Sequence, residues 1–407
     1  MTTQERDEQP ASAYLLDMLH RLYPAPLLVR RGGRAGADTL AAYLAIPGIN
    51  RPRLLVPAGR PRVAARTAAR QLTGQRARTR AARVAAAVAL RTGLLDRGGR
   101  HQLLVTGPDD APSVTGWLCK ALGVDEVLLT MPVGPARATR KPVLQVSDRD
   151  GVALAYVKVG HDSLTRTLVG REAAVLRKAG AARSSSSLAP QVLAFDEDWH
   201  GLTLLVLEPL PLLGTRRRGA LARRGLLDVV EEIFSMLGCE EYSWAASPLR
   251  RRLEDELATL DARGDGLRAE LARIDAQAPV QRLGAWHGDL NPGNLALRRQ
   301  RTYIWDWERF EQNAPLGFDL LHHDLHRWLA EQGRPPLEAA RQLLRRAADL
   351  MAPLGVPPAD AQVTAHLYLI TLGSRYLRDH QAEAGVALGR VDEWIVPALR
   401  DDPLADR

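Results

Sequence analysis

One stretch of this chain concentrates groups able to move a proton or hold a cation: His287-Gly288-Asp289-Leu290-Asn291-Pro292-Gly293-Asn294. Ile304-Trp305-Asp306-Trp307-Glu308 follows shortly after it. Pro292 and Gly293 force a loop that holds Asp289 and Asn294 on one compact turn. A short hairpin, Leu295 to Leu297 against Tyr303 to Trp305, returns Asp306 to the same end. In such a set one carboxylate serves as a base, while an amide oxygen and a second carboxylate supply hard oxygen ligands. That donor chemistry suits Mg²⁺, which takes one or two carboxylates together with substrate phosphates. Asp289 alone reads equally well as a structural carboxylate in a capped loop.

The elements that must position these groups fall into three segments. Residues 1–125 form an N-terminal module of unassigned role. Its strands are expected at Leu27 to Val29, Tyr43 to Ile46, Leu54 to Val56 and Leu103 to Val105, with Tyr43 to Ile46 in a hairpin closed by Gly48 to Pro52. Ala/Arg-rich helices are expected over Arg62 to Leu72 and Gln75 to Leu95, broken at Gly74, and another over Val114 to Leu122. Residues 126–208 change texture. Strands are expected at Val127 to Met131, Val143 to Ser147 and Val152 to Val159, the last two joined by the tight turn Asp148-Arg149-Asp150-Gly151. A helix over Leu164 to Ala179, a loop over Arg183 to Ser187 and strands at Val192 to Phe195 and Leu202 to Leu207 complete this segment. Residues 209–407 read as helical apart from the hairpin above. A five-stranded sheet with one helix, followed by a helical domain, is an α+β arrangement, and a two-lobed molecule with a cleft fits it. The first ten and last seven residues read as frayed ends.

The order His-x-Asp-x4-Asn followed by an Asp at a strand end resembles the catalytic and metal-binding loops of aminoglycoside and choline phosphotransferases. These enzymes share a protein-kinase-like fold. The resemblance covers roughly Val127 to Leu399. It implies a small five-stranded N-lobe and a helical C-lobe carrying the catalytic loop, beside the extra N-terminal α/β module. It also implies ATP and Mg²⁺ as cofactors and a small-molecule hydroxyl as phosphoryl acceptor. His287 and Asp289 become catalytic-loop residues, with Asp289 the base at the acceptor; Asn294 and Asp306 hold the metal. Asp319, in Gly317-Phe318-Asp319-Leu320, matches a family Asp that braces the loop through its backbone; an acidic helix N-terminus is the plainer reading.

A kinase-like nucleotide site also needs a Lys on the third strand and a Glu on the next helix. Lys158 sits on the third expected strand, and Glu172 follows fourteen residues later. Lysine is rare here, four residues against 51 arginines, which singles out Lys158. With period two, Tyr156 shares its face and would cover the adenine, core packing being the equal alternative. Glu208-Pro209-Leu210-Pro211 follows the fifth strand, where backbone groups from Glu208 to Leu210 would read the adenine edge.

Departures from the protein-kinase pattern narrow the acceptor. The loop equivalent to the one over the phosphates, Pro132 to Lys141, has one Gly instead of three; Arg140 and Lys141 are candidates to touch phosphate in its place, a merely basic loop being the plainer reading. Thirteen positions separate Asp306 from Asp319, too few for a long peptide-docking segment. Trp307-Glu308 replaces Phe-Gly. These points favour a small molecule over a protein. Asn291 stands where many relatives have His. His322, His323 and His326 read as a polar helix face, since no tetrahedral ligand set accompanies them.

Composition bounds the rest. Apolar residues make up 46% of the 407, as in a globular protein with a large core. No apolar run reaches the length of a membrane span, and Met1 to Pro10 lack a signal-peptide pattern. Cys119 and Cys239 are far apart, so a reducing, cytoplasmic setting is expected. The charge is uneven: residues 1–208 hold 29 basic against 18 acidic residues, while residues 209–407 hold 26 against 29. Arg51 to Arg100 contain thirteen Arg, a footprint that fits a solvated helix face better than a nucleic-acid surface, because no recognition motif accompanies it. The rival readings are an ATP-binding regulator without turnover and a nucleic-acid binder using that stretch. Oligomeric state and acceptor identity are not encoded in these patterns.

Overall fold

The computed structural model describes residues 11–33, 35–71, 89–92, 101–134, 139–181, 187–212, 215, 217–275, 280–299 and 301–402. The first ten residues, most of the helix expected over Gln75 to Leu95, the centre of the Pro132 to Lys141 loop and all but Ser187 of the Arg183 to Ser187 loop lie outside them. The chain divides into two compact units, Met1–Ala173 with Gln191–Pro209, and Ala174–Pro190 with Leu210–Arg407.

The strands of the first unit are β1 (Leu28–Arg31), β2 (Thr39–Ile46), β3 (Leu54–Pro57), β4 (Gln102–Thr106), β5 (Leu128–Pro132), β6 (Val143–Ser147), β7 (Ala153–Gly160), β9 (Val192–Trp199) and β10 (Leu202–Leu207); β8 (Ser187–Leu188) belongs to the second unit. The nine form one antiparallel sheet in the order β1-β4-β2-β3-β5-β6-β7-β10-β9. The five strands expected from residues 126–208 are adjacent in it. Four more from the N-terminal segment extend the same sheet, joined where Leu55 of β3 pairs with Met131 of β5.

Alternation along the strands gives this sheet two apolar faces. Tyr43, Ala45 and Leu55 pack with Leu15, Met18 and Leu19 of the helix Ala11–Leu22 and with Val114 and Leu118 of the helix Val114–Leu122. Leu44, Leu54 and Val56 pack on the other side against Ala64, Ala65 and Ala68 of the helix Pro61–Gln71. The β6–β7 hairpin closes as its sequence requires. Asp148 Oδ1 accepts the N–H groups of Asp150 and Val152, and Gly151 takes a positive φ of 74°.

The second unit is mainly helical, but it holds two small sheets where one hairpin was expected. β13 (Leu295–Leu297) and β14 (Thr302–Ile304) form that hairpin, and β8 adds parallel to β14. β11 (Glu240–Tyr242), β12 (Gln281–Trp286) and β15 (Glu311–Pro315) form a second, antiparallel sheet that the helical expectation omitted. Glu311-Gln312-Asn313-Ala314-Pro315 has no β-branched or aromatic residue, so only its pairing with β12 makes it a strand.

The helix Pro358–Arg378 runs through the core of this unit. Leu367, Tyr368, Leu369 and Ile370 are consecutive, and all are 0% exposed. A helix apolar on every side must be surrounded by other elements, which makes it a stiff support. No helix of the described residues is long and apolar enough to cross a membrane.

Candidate functional site

The loop from His287 to Asn294 is shaped by its own polar groups. Asn291 N–H bonds the Asp289 carbonyl, and Asn294 N–H bonds the Asn291 carbonyl. The Asn291 side chain accepts from Gly293 N–H at 2.7 Å. Gly288 has φ +80°, and a Cβ there would lie 2.0 Å from the Arg309 carbonyl oxygen, so no larger residue fits without moving backbone. The loop lies directly against the segment that follows Asp306.

Asp319 fastens the loop from outside. From the first turn of the helix Phe318–Ala330, its carboxylate accepts the N–H of His287 at 2.7 Å and of Gly288 at 3.2 Å. Burial pushes the Asp319 carboxyl up to about 7, against the pull of those two N–H groups. His287 is fully buried beside the Trp307 ring, and burial pushes its imidazole down to about 4.

The Asp289 carboxylate, 29% exposed, is held at both oxygens. Asn294 Nδ2 donates to Oδ2 and to the Asp289 carbonyl, each at 2.9 Å. Asn291 Nδ2 donates to Oδ1 at 2.9 Å, and His322 Nε2 lies 3.0 Å from the same Oδ1. Burial opposes its ionisation, but the hydrogen bond from His322 and the Arg375 guanidinium outweigh that and hold the carboxyl well below the usual range. Asp289 is therefore an anion at neutral pH.

His322 corrects the polar-face reading. It is 0% exposed, and its Nδ1 lies 3.0 Å from the Tyr368 hydroxyl. His323 Nδ1 meets the Leu290 carbonyl at 3.2 Å, and the His326 ring lies tilted against that of His322, 4.2 Å between centres. The signal was present in the spacing: Asp319, His322, His323 and His326 stand at i, i+3, i+4 and i+7, one face of a helix. Arg375, Tyr368 and the Arg309–Asp379 ion pair had no sequence signal. Asn291, noted only as a departure, proves to be a ligand of the Asp289 carboxylate.

Asp306 follows β14 in the left-handed region, φ 71° and ψ 55°. Such a conformation is sparsely populated outside glycine and costs on the order of 1 kcal/mol, so it marks a constrained position. A carboxylate oxygen of Glu308 lies within 4.8 Å of one of Asp306. Asn294, whose Nδ2 is engaged by Asp289, also carries an amide oxygen. All three offer hard oxygen donors of the kind Mg²⁺ takes.

In the first unit, Lys158 on β7 and Glu172 on the helix Ser163–Ala181 form a buried ion pair at 2.5 Å, with side chains 9% and 0% exposed. Tyr156, two residues before Lys158, is half-buried and pairs in register with Leu207 of β10. Glu208 is exposed, and its N–H bonds the Gln191 carbonyl at 2.9 Å; Leu210 is half-buried. Arg140 stacks over the Tyr14 ring at 3.4 Å.

Among solved structures, the chain is similar to a thermostable mutant of aminoglycoside phosphotransferase APH(4)-Ia in ternary complex with ADP and hygromycin B. The likeness covers 70% of this chain and 99% of that one, at 15% identity and a TM-score of 0.45. It is also similar to a choline/ethanolamine kinase family protein of Mesorhizobium loti, over 65% of this chain and 86% of that one, at 20% identity and a TM-score of 0.37. An ethanolamine kinase of Plasmodium vivax matches over 65% and 82%, at 13% identity and a TM-score of 0.40. No family model and no curated protein sequence matches the chain.

Proposed function

We propose that this protein is an ATP- and Mg²⁺-dependent phosphotransferase acting on a hydroxyl of a small molecule, with Asp289 as the base. The observation that carries the reading is the Asp289 carboxylate. It sits on a loop pinned by Asp319, its oxygens are held by side-chain donors, and Asn294 beside it donates from its Nδ2. Asn294 and Asp306 would hold Mg²⁺, with Glu308 close by; the ion would neutralise charge on the phosphates. Lys158, oriented by Glu172, would contact the phosphates, and Tyr156 and the backbone around Glu208 and Leu210 would meet the base.

In the reaction, the acceptor oxygen bonds to the γ-phosphorus as the bond between that phosphorus and the β–γ bridging oxygen breaks. ADP leaves with the electron pair, and the acceptor's proton passes to Asp289. The transition state is loose, so orientation of the hydroxyl counts for more than strong basicity. A carboxylate held well below its usual range is compatible with that role.

The test is ADP release and mass detection of phosphorylated product across a panel of hydroxyl acceptors, beside calorimetry with MgATP. Asp289→Asn should keep MgATP binding and lose turnover by about 100-fold or more. Near-wild-type turnover with the true acceptor would remove Asp289 from the role of base.

A further inference from the structure

The phosphotransfer reading assigns a base but not the oxygen that takes the proton, nor what aims it. We propose that His322 is a positioning residue that, with Tyr368 behind it, turns Asp289 so that Oδ2 is the proton-accepting atom. This inference rests on the phosphotransfer reading.

Proton bookkeeping sets the direction of the chain. An ionised carboxylate only accepts, so His322 must carry its proton on Nε2 and donate to Oδ1 at 3.0 Å. A neutral imidazole then has a bare Nδ1, and the Tyr368 O–H donates to it at 3.0 Å. Burial favours this neutral form by pushing the His322 imidazole down. Burial likewise holds the Tyr368 phenol well above its usual value, so its proton stays.

Each carboxylate oxygen has about two lone-pair sites. Oδ1 receives two donors, His322 Nε2 and Asn291 Nδ2, and is saturated. Oδ2 receives one side-chain donor, Asn294 Nδ2, and keeps a lone pair for the acceptor hydroxyl. A neutral donor suits this task better than a cation, because it fixes the carboxylate without cancelling its charge. The support is stiff: His322 and Tyr368 are both 0% exposed, and they come from the two helices Phe318–Ala330 and Pro358–Arg378.

The experiment compares wild type, His322→Leu, His322→Gln and Tyr368→Phe by steady-state kinetics, MgATP calorimetry and thermal melts. His322→Leu should lower kcat by roughly 10- to 100-fold, the scale of a misplaced catalytic group, with the KM for ATP within about threefold of wild type. His322→Gln puts an N–H donor near the Nε2 position and should recover most of the loss. Tyr368→Phe should lower kcat about three- to tenfold, since the imidazole loses its orienting partner. Wild-type kcat in a folded His322→Leu overturns the proposal, as does a His322→Gln as slow as His322→Leu, or a change in KM alone. If His322→Leu does not fold, Tyr368→Phe decides: unchanged kcat overturns the proposal. A wild-type protein that binds MgATP but yields no phosphorylated product or free phosphate overturns the phosphotransfer reading itself, before any variant is compared.

Discussion

The guanidinium of Arg375 donates a 2.6 Å hydrogen bond to the carbonyl of Gly288, across 87 residues of sequence. Both groups are buried, and the same guanidinium lies 5.7 Å from the centre of the Trp286 ring. With Asp319 on the N–H groups of His287 and Gly288, the loop backbone is held from its donor side and its acceptor side. Four residues on, Asp379 pairs with Arg309, whose carbonyl faces Gly288. One buried helix end therefore fixes both segments that carry the candidate catalytic groups.

Arg375→Met should accordingly cost stability and turnover together. A buried carbonyl that loses its partner costs about 1–3 kcal/mol. Denaturant melts should show that loss, and turnover should fall by a larger factor than MgATP affinity, because the loop moves while Lys158, the residue proposed to contact the phosphates, does not. A variant with wild-type melting and turnover would show that the bond is dispensable.

The Lys158–Glu172 pair gives a prediction that separates stability from function. Removing one partner leaves an opposite charge buried, which costs about 3–5 kcal/mol. Lys158→Met and Glu172→Leu should each melt early. The double variant should regain much of the loss, since two apolar groups of similar volume replace a buried ion pair. MgATP binding should stay weak in all three. Calorimetry showing wild-type affinity in the double variant would remove Lys158 from the nucleotide site.

Asp306→Ala should raise the Mg²⁺ requirement without unfolding the protein. On the proposed reading it deletes a hard ligand for an ion with strict octahedral demands. It also removes an acidic side chain from a left-handed position, where alanine is at least as strained. A Mg²⁺ titration of ADP release at fixed ATP reads the effect. An unchanged Mg²⁺ dependence places the metal elsewhere.

Acid should destabilise the protein from just below neutrality. His287 and His323 are pushed down to about 4 by burial, and His326 to about 3. In the unfolded chain a histidine titrates near 6.5. The stability that these neutral histidines confer is present above that value and is lost as pH falls toward the folded values. Between pH 7 and 5 each loses about 2 kcal/mol. Asp319, pushed up to about 7, works in the opposite sense: its contribution is present at low pH and lost as pH rises through 7, so it offsets one histidine. Urea melts at several pH values should show the net fall, and His326→Leu should flatten it. An unaltered slope in that variant would exclude His326 as a source.

Whatever depends on neighbours along the chain could be read from residue order. Pro292-Gly293 and the hairpin behind it hold Asp289, Asn294 and Asp306 within a short span, so their grouping was legible from residue types and spacing. The same is true of the β6–β7 hairpin with Lys158 on its second strand, because turn chemistry and period-two alternation are local. The structure decided what depends on which distant surfaces meet. His322, Tyr368 and Arg375 act on the loop from 33 to 87 residues away in sequence. The helix Pro358–Arg378 is buried around its whole circumference, so no apolar stripe in its sequence tells which side turns toward Asp289. The nine-stranded sheet likewise depends on Leu55 meeting Met131, and β15 on pairing with β12. Such pairings are tertiary because an edge backbone acquires its partner only when the chain has folded.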